Sequence, residues 1–167
     1  SISNLSFVLA RSLTSKHAGS FTRLPNDSSV VFDQTLNVFA FESLSALSVL
    51  CSRAHEEWAL FFGATMKDDP RYGLSDCFET FAFPPDYETD GALEAAGRAY
   101  YEFRAQLMIR NNEGLTKTYN RFHNPSEISP DIARMRELHA AMDRAVLDAY
   151  GWTDIPTNCG FALDYLE

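Results

Sequence analysis

The sequence predicts an α+β fold in which a small β-containing recognition unit is followed by a helical subdomain. Short β-rich apolar runs occur within the first 41 residues, whereas the apolar stripes with helical spacing begin after them. The segment 84–91 (PPDYETDG) has the proline and polar composition of a linker. We therefore expect a β-rich unit with one long helix over 1–85, and helices with an irregular tail over 86–167.

Three strands are expected in the β-rich unit. Leu5–Ala10 (LSFVLA) is apolar and rich in β-formers, and the polar segment 11–20 that follows it predicts a loop. Val30–Asp33 (VVFD) and Leu36–Phe41 (LNVFAF) predict two further strands around a tight connection at 34–35.

One long helix is expected in the same unit, starting with Ser43 as its cap and running to about Phe62. Its apolar residues recur at steps of one, three and four, and Gly63 is placed to end it. The alternating segment 75–83 (SDCFETFAF) then predicts a short capped turn leading into a strand.

The second part of the chain predicts three helices. The first covers about 91–109, with apolar residues at helical spacing, and a shorter one covers 115–122. The last begins at Ser129, with Pro130 at its first helical position, and is closed by Gly151. The tail after it is expected to pack back through Trp152 and Phe161.

Composition places the chain among ordinary soluble proteins, because 46% of its residues are hydrophobic and 22% are charged. No run approaches the roughly 20 apolar residues of a membrane span, and the first residues do not have the pattern of a signal peptide. The three cysteines are widely spaced, which predicts reduced thiols and a cytoplasmic protein.

The formal net charge of −9 argues against a free-standing, non-specific DNA-binding protein. The charge is unevenly distributed, however. Residues 1–36 carry three basic and two acidic residues, a net charge of +1, whereas residues 37–167 carry eleven basic and 21 acidic residues, a net charge of −10. The excess of acidic residues therefore belongs to the later, mostly helical part.

Catalytic motifs are missing from the sequence. An amino-methyltransferase needs a loop with Asp, Asn or Ser, two prolines and an aromatic residue to hold the extruded base, and 124–127 (NPSE) lacks the second proline and the aromatic ring. The segment 55–59 (HEEWA) has alanine where a zinc-binding helix would need its second histidine. We predict no catalytic residue, no metal site and no bound cofactor in this chain.

Four segments nevertheless resemble one enzyme family in sequence and order: 36–41 (LNVFAF), 52–63 (SRAHEEWALFFG), 71–85 (RYGLSDCFETFAFPP) and 114–152 (GLTKTYNRFHNPSE to LDAYGW). The chain resembles the C-terminal, target-recognition and helical region of type II (IIG/IIL-like) restriction-modification N6-adenine DNA methyltransferases. The resemblance implies docking on double-stranded DNA, recognition of a short sequence and presentation of an adenine. It also implies that the methyltransferase domain of the same polypeptide is a partner, and that S-adenosylmethionine binds there.

Candidate DNA contacts fall in two groups. In the run 115–123 (LTKTYNRFH), a basic pair at i and i+4 is spaced to contact adjacent phosphates. In the β-rich unit, basic residues lie near loops, and two amides have the groups that pair with adenine. The full set is Arg11, Lys16, Arg23, Gln34, Asn37, Lys117, Tyr119, Asn120 and Arg121.

An alternative remains open at this point. The acidic charge and the apolar helix stripes of residues 90–167 also suit an interdomain scaffold that packs on the methyltransferase domain without contacting DNA.

Overall fold

The computed structural model describes residues 4–12, 17, 19–27, 29–66 and 69–157, and within them it confirms an α+β fold. The strands are β1 (Phe7–Ser12), β2 (Thr22–Pro25), β3 (Leu36–Phe39), β4 (Ala64–Met66) and β5 (Asp69–Arg71). The helices are α1 (Leu44–Cys51), α2 (Arg53–Phe62), α3 (Gly91–Asn111), α4 (Leu115–Phe122) and α5 (Pro130–Ala149). A π-helical turn over Leu74–Phe78 and a 3-10 turn over Tyr87–Thr89 join the two sets of helices.

The first sheet is antiparallel, with strand order β2-β1-β3, and the central strand β1 is buried over four consecutive residues. Ser12 at the end of β1 pairs with Leu36 at the start of β3, and Ala10 pairs with Thr22 at the start of β2. The β1–β2 connection and the turn that precedes β3 therefore lie at the same end of the sheet, which we call the loop end.

The strand predicted over Val30–Asp33 is wrong. Asp33 instead begins a turn: its carboxylate accepts the backbone N–H of Thr35 at 2.8 Å, and its carbonyl accepts the N–H of Leu36 at 3.0 Å. Val31 is 92% exposed, so the apolar pattern of this segment does not reflect burial. The sequence reading also missed β2, whose residues TRLP have no alternating apolar pattern.

The single helix predicted from Ser43 to Phe62 is broken at Ser52, which adopts an extended conformation. The Ser52 hydroxyl donates to the carbonyl of Val49 at 2.7 Å and accepts the N–H of His55 at 3.4 Å, so it serves both helix ends. Ser43 caps α1 as predicted, through the N–H of Ala46. The break lets α1 pass through the core while α2 lies at the surface.

The segment 75–83 forms the predicted turn but not the predicted strand. The turn closes with the N–H of Glu79 on the carbonyl of Leu74 at 2.9 Å. Residues 81–84 form no strand. The Phe81 ring lies 4.7 Å from His55, and the Phe83 ring lies 4.6 Å from Tyr87, so packing of the rings fixes this segment.

The three helices predicted for the second part are confirmed. The α3 helix begins with Asp90, which accepts the N–H groups of Ala92 and Leu93, and ends at Asn112 in the left-handed conformation. The α4 helix has the predicted bounds, α5 starts at Pro130, and Gly151 follows α5 with a φ of 77°. Phe161, expected to pack in the tail, lies outside the described residues.

One continuous hydrophobic core joins the sheet to the helices. It includes Leu9 and Phe39 from the sheet, Leu47 from α1, Tyr100 from α3 and Met142 from α5. Segments on both sides of the boundary placed after residue 85 contribute to this core. The boundary itself stays a prediction. No helix within the described residues is long and apolar enough to cross a membrane.

Candidate nucleic-acid interface

The described residues of the β1–β2 connection, 17 and 19–21, are held against α4 by the side chain of His17. The His17 ring stacks on His123, with centroids 4.7 Å apart and an interplanar angle of 3°, and on Tyr119 at 5.6 Å. Its Nε2 atom lies 3.0 Å from Oδ1 of Asn120, so the ring N–H donates to the amide oxygen. Three residues of α4, or next to its end, therefore contact one side chain of the connection.

The backbone of the same connection is fixed by further hydrogen bonds. The carbonyl of His17 accepts from the hydroxyl of Ser20 at 2.8 Å and from Arg11 Nη2 at 3.4 Å. The carbonyl of Gly19 accepts from the hydroxyl of Tyr119 at 3.4 Å. A Cβ atom at Gly19 would lie 3.1 Å from the carbonyl oxygen of Cys51, so the backbone passes close to the end of α1.

Beneath the connection lies a buried polar network built around Arg104. Its guanidinium donates to the hydroxyl of Tyr119 and to the carbonyl of Phe21, each at 2.8 Å. The hydroxyls of Tyr100 and Tyr119 are 2.8 Å apart. Burial raises the pKa of both phenols, so both are protonated at neutral pH and Tyr100 can donate to Tyr119.

Three of the residues expected to contact DNA are buried. Arg11 is 2% exposed, and its guanidinium lies 4.4 Å from the ring centroid of Tyr72. Burial lowers the pKa of Arg11 to about 10, which leaves it charged at neutral pH. Asn37 is buried and donates to the carbonyl of Tyr72 at 3.5 Å, and Tyr119 is buried in the network described above.

Both side chains of the basic pair of α4 make ion pairs within the chain. Lys117 and Arg121 both pair with Glu113, at 3.3 and 3.0 Å. Arg121 also binds Glu127 at 2.9 Å and the hydroxyl of Ser129 at 3.0 Å. The hydrogen bond from Arg121 is the largest of the causes that lower the pKa of Glu127 to about 2. Arg121 is thus neutralised within the chain, whereas the side chain of Lys117 is 68% exposed.

The remaining candidates lie at or near the surface. Gln34 is exposed in the turn before β3, at the loop end. Arg23 is half-buried on β2, with its guanidinium 3.8 Å from the Phe7 ring centroid, and its Nε atom has no hydrogen-bond partner within the described residues. Asn120 is exposed on α4. Lys16 lies outside the described residues, although its sequence position is in the β1–β2 connection.

Sequence reasoning gave no specific role to His123 and Arg104. Arg104 follows Tyr100 by four residues and precedes Leu107 by three, so helical spacing alone places it on the buried face of α3. For His123, no local signal was available, because its contact lies 106 residues earlier in the chain.

Metal ligation and thiol chemistry are not supported by the geometry of the described part of the chain. No three His, Cys, Asp or Glu side chains converge there. Burial raises the pKa of the thiols of Cys51 and Cys77, so both are protonated at neutral pH. Cys159 lies outside the described residues.

A second surface is apolar. A groove of about 570 Å³ runs between α2, α5 and the segment that follows α5, and its apolar lining includes Trp58, Phe81, Leu147, Tyr150, Trp152 and Ile155. The ring of Trp58 lies 4.3 Å from that of Phe62, and Phe62 lies 4.9 Å from Phe61. Phe61 is 81% exposed, so these rings extend the groove as an aromatic surface at the end of α2.

Comparisons with known proteins give one informative match. None of the established protein-family profiles matches the chain, and no curated protein matches its sequence. Among solved structures, the fold is similar to part of MmeI, a type IIL restriction-modification enzyme determined in complex with DNA. The TM-score is 0.68 at 20% sequence identity, and the match covers 89% of this chain but 19% of the MmeI chain. At this identity the match establishes a shared fold.

Proposed function

We propose that this chain is the non-catalytic target-recognition segment of a site-specific N6-adenine DNA methyltransferase of a restriction-modification system. The observation that supports this role most directly is the shared fold with part of a DNA-bound restriction-modification enzyme over 89% of the chain. In this proposal S-adenosylmethionine binds in a methyltransferase domain of the same polypeptide, and this chain contributes docking on double-stranded DNA and sequence recognition.

The loop end of the sheet is the surface proposed to face DNA. It carries Gln34 on the turn before β3, and it carries the β1–β2 connection, which contains Lys16. Residues 1–36 have a net charge of +1 in a chain whose net charge is −9, so this part of the chain repels phosphate least. Its position on a sheet packed against helices suits base recognition, since loops on a rigid scaffold present side chains in fixed positions.

The individual contacts are assigned by exposure and chemistry. Lys117, exposed on α4, is proposed to bind a phosphate, for which it would exchange its pair with Glu113. The carboxamide of Gln34 is proposed to pair with an adenine edge in the major groove. Arg11, Asn37, Tyr119 and Arg121 are assigned structural roles, since each is buried or already neutralised.

A salt-titrated gel shift tests the proposal with the chain and a pool of random-sequence DNA duplexes. We expect retention that weakens between about 50 and 200 mM salt, because each phosphate contact releases counterions. Lys117→Ala should lower the salt slope by about one, and Gln34→Ala should relax the preference at one base position of the selected sequences.

Arg134→Ala is the matched control, because it removes one exposed, ion-paired basic side chain from α5 instead of α4. Equal slopes for Lys117→Ala, Arg134→Ala and the unmodified chain would contradict the assignment of Lys117. An absence of salt-dependent retention at every concentration would contradict DNA docking by this chain.

The second candidate function is an interdomain scaffold that packs on the methyltransferase domain without contacting DNA. The apolar groove and the exposed ring of Phe61 favour it, because contiguous exposed apolar surface is typical of interaction sites. Phe61→Ser separates the two roles in the same gel shift. If the loop end binds DNA, Phe61→Ser should retain DNA as the unmodified chain does. If neither protein retains DNA, the result favours the scaffold role.

A further inference from the structure

We infer that α4 positions the described residues of the β1–β2 connection, namely 17 and 19–21, with His17 as the anchor and with Asn120 and His123 as the groups that receive it. This inference rests on the proposed function only in one respect, namely that the positioned connection faces DNA. The basic and aromatic composition of the segment 115–123 suggested direct phosphate contact. The inference gives this segment a supporting role instead, as the part of the chain that holds the β1–β2 connection.

The contacts of His17 fix both the place and the orientation of its ring. Stacking on His123 at 4.7 Å, with the planes 3° from parallel, sets the tilt of the ring. The hydrogen bond to Asn120 at 3.0 Å sets its rotation within that plane. A ring held by a stack and by an in-plane hydrogen bond has few alternative orientations, so its backbone is held as well.

A second attachment point lies two residues further along the connection. The hydroxyl of Tyr119 donates to the carbonyl of Gly19 at 3.4 Å, while the N–H of Ser20 donates to the carbonyl of His17 at 3.2 Å. Tyr119 is itself held by Arg104 at 2.8 Å. Among the described residues, His17 therefore contacts α4 at the surface and Gly19 contacts it in the interior.

The exposed contact should depend on pH. Partial burial and then the facing His17 ring lower the pKa of His123 to about 4, and His139, Arg53 and Arg136 act in the same direction. Protonation of His123 would place a charge against the His17 ring and near the guanidinium groups of Arg53 and Arg136. Because the pKa of His123 is depressed, the contact is complete near pH 7 and weakens as the pH falls toward 4.

The test is amide hydrogen exchange of Ser20 and Phe21 in the chain without DNA, measured by NMR. Their N–H groups donate to the carbonyls of His17 and Gly19, so they report directly on the anchored connection. Asn120→Ala and His123→Ala should each accelerate this exchange about 3- to 10-fold at pH 7, the effect of losing roughly one hydrogen bond or ring contact. Thr116→Ala, an exposed change on the same helix, should leave it unchanged.

A second variant separates positioning from general unfolding. His123→Phe keeps an aromatic ring for His17 to stack on but cannot be protonated. We expect protection of the two amides, taken relative to their intrinsic exchange rates, to be near that of the unmodified chain at about pH 7. When the pH falls to about 4.5, the loss of protection should be smaller than in the unmodified chain. Unchanged exchange of Ser20 and Phe21 in both Asn120→Ala and His123→Ala would overturn the inference.

DNA retention by the same variants distinguishes this inference from the proposed function. If exchange accelerates and DNA affinity falls by a similar factor, α4 positions a loop that binds DNA. If exchange accelerates while DNA affinity stays constant, the anchor is established, and the assignment of the loop end as the DNA surface fails.

Discussion

At the scale of single residues, several side chains whose chemistry suggested DNA contacts are buried. Arg11, Asn37 and Tyr119 have polar groups that could contact DNA, yet each side chain is buried in the interior of the chain. His55 belongs to the same class. It opens the HEEWA segment that resembles part of a zinc-binding helix, but Nδ1 lies 2.9 Å from the carbonyl of Leu50 and Nε2 lies 2.9 Å from the hydroxyl of Tyr72. The ring therefore donates at Nδ1 and accepts at Nε2, as the neutral form does.

This arrangement predicts acid sensitivity at His55. Burial lowers its pKa from 6.5 to about 4, so the folded chain disfavours the protonated ring. The contribution of the neutral His55 ring to the free energy of unfolding is complete above pH 6.5. It is lost as the pH falls from 6.5 through 4, by about 3 kcal/mol at pH 4. Urea unfolding at pH 7, 5 and 4 measures this loss.

His55→Gln is the informative variant, because an amide can donate to Leu50 and accept from Tyr72 without titrating. We expect it to be less stable than the unmodified chain at pH 7 but to lose less stability on acidification. Identical pH profiles for the two proteins would show that His55 is not the group responsible.

At the scale of elements, the path of α1 depends on close approach to α3. Gly97 on α3 faces the carbonyl oxygen of Leu44 and the hydroxyl of Ser48, and a Cβ atom there would overlap both. The Ser48 hydroxyl also donates to the carbonyl of Leu93 at 2.7 Å, which joins the two helices through a buried hydrogen bond. The break at Ser52 then allows α2 to leave this contact, and Asp143 on α5 accepts the N–H of Arg53 at 2.9 Å.

Gly97→Ala should therefore destabilise the chain, although alanine is the better helix former. Overpacking typically costs about 1–3 kcal/mol, which exceeds the roughly 1 kcal/mol gained in helix propensity. Gly91→Ala at the start of the same helix is the control, because nothing lies within 4 Å of a Cβ atom there. Urea unfolding that ranks Gly97→Ala as stable as Gly91→Ala would contradict the close approach.

At the scale of the whole molecule, the β-rich unit and the helices share one hydrophobic core. Residues on both sides of the boundary predicted after residue 85 belong to the same core, in which α1 packs against α3 and α5. The apolar groove also lies between parts of the chain from both sides of that boundary. The function proposed for the loop end thus depends on helices far away in sequence, since α4 and α3 carry the groups that hold the connection.

A shared core predicts a single cooperative unfolding transition. Unfolding in urea followed by far-ultraviolet and by near-ultraviolet circular dichroism should give coincident curves. A chain truncated after Pro85 should fail to show the cooperative transition, because it lacks the α3 and α5 surfaces against which α1 packs. Two separate transitions, or a cooperative truncated chain, would instead support independent units divided at that boundary.

The sequence by itself determined the fold class, the bounds of α4, the starts of α3 and α5, and the absence of recognisable catalytic motifs. These features depend on caps, glycines, prolines and apolar spacing, which act over a few residues. Only the tertiary structure decided the break at Ser52, the burial of Arg11 and Tyr119, and the contact of His17 with Asn120, 103 residues away. Whether a polar side chain faces solvent or the core depends on what packs against it, and for these residues the partner lies far along the chain.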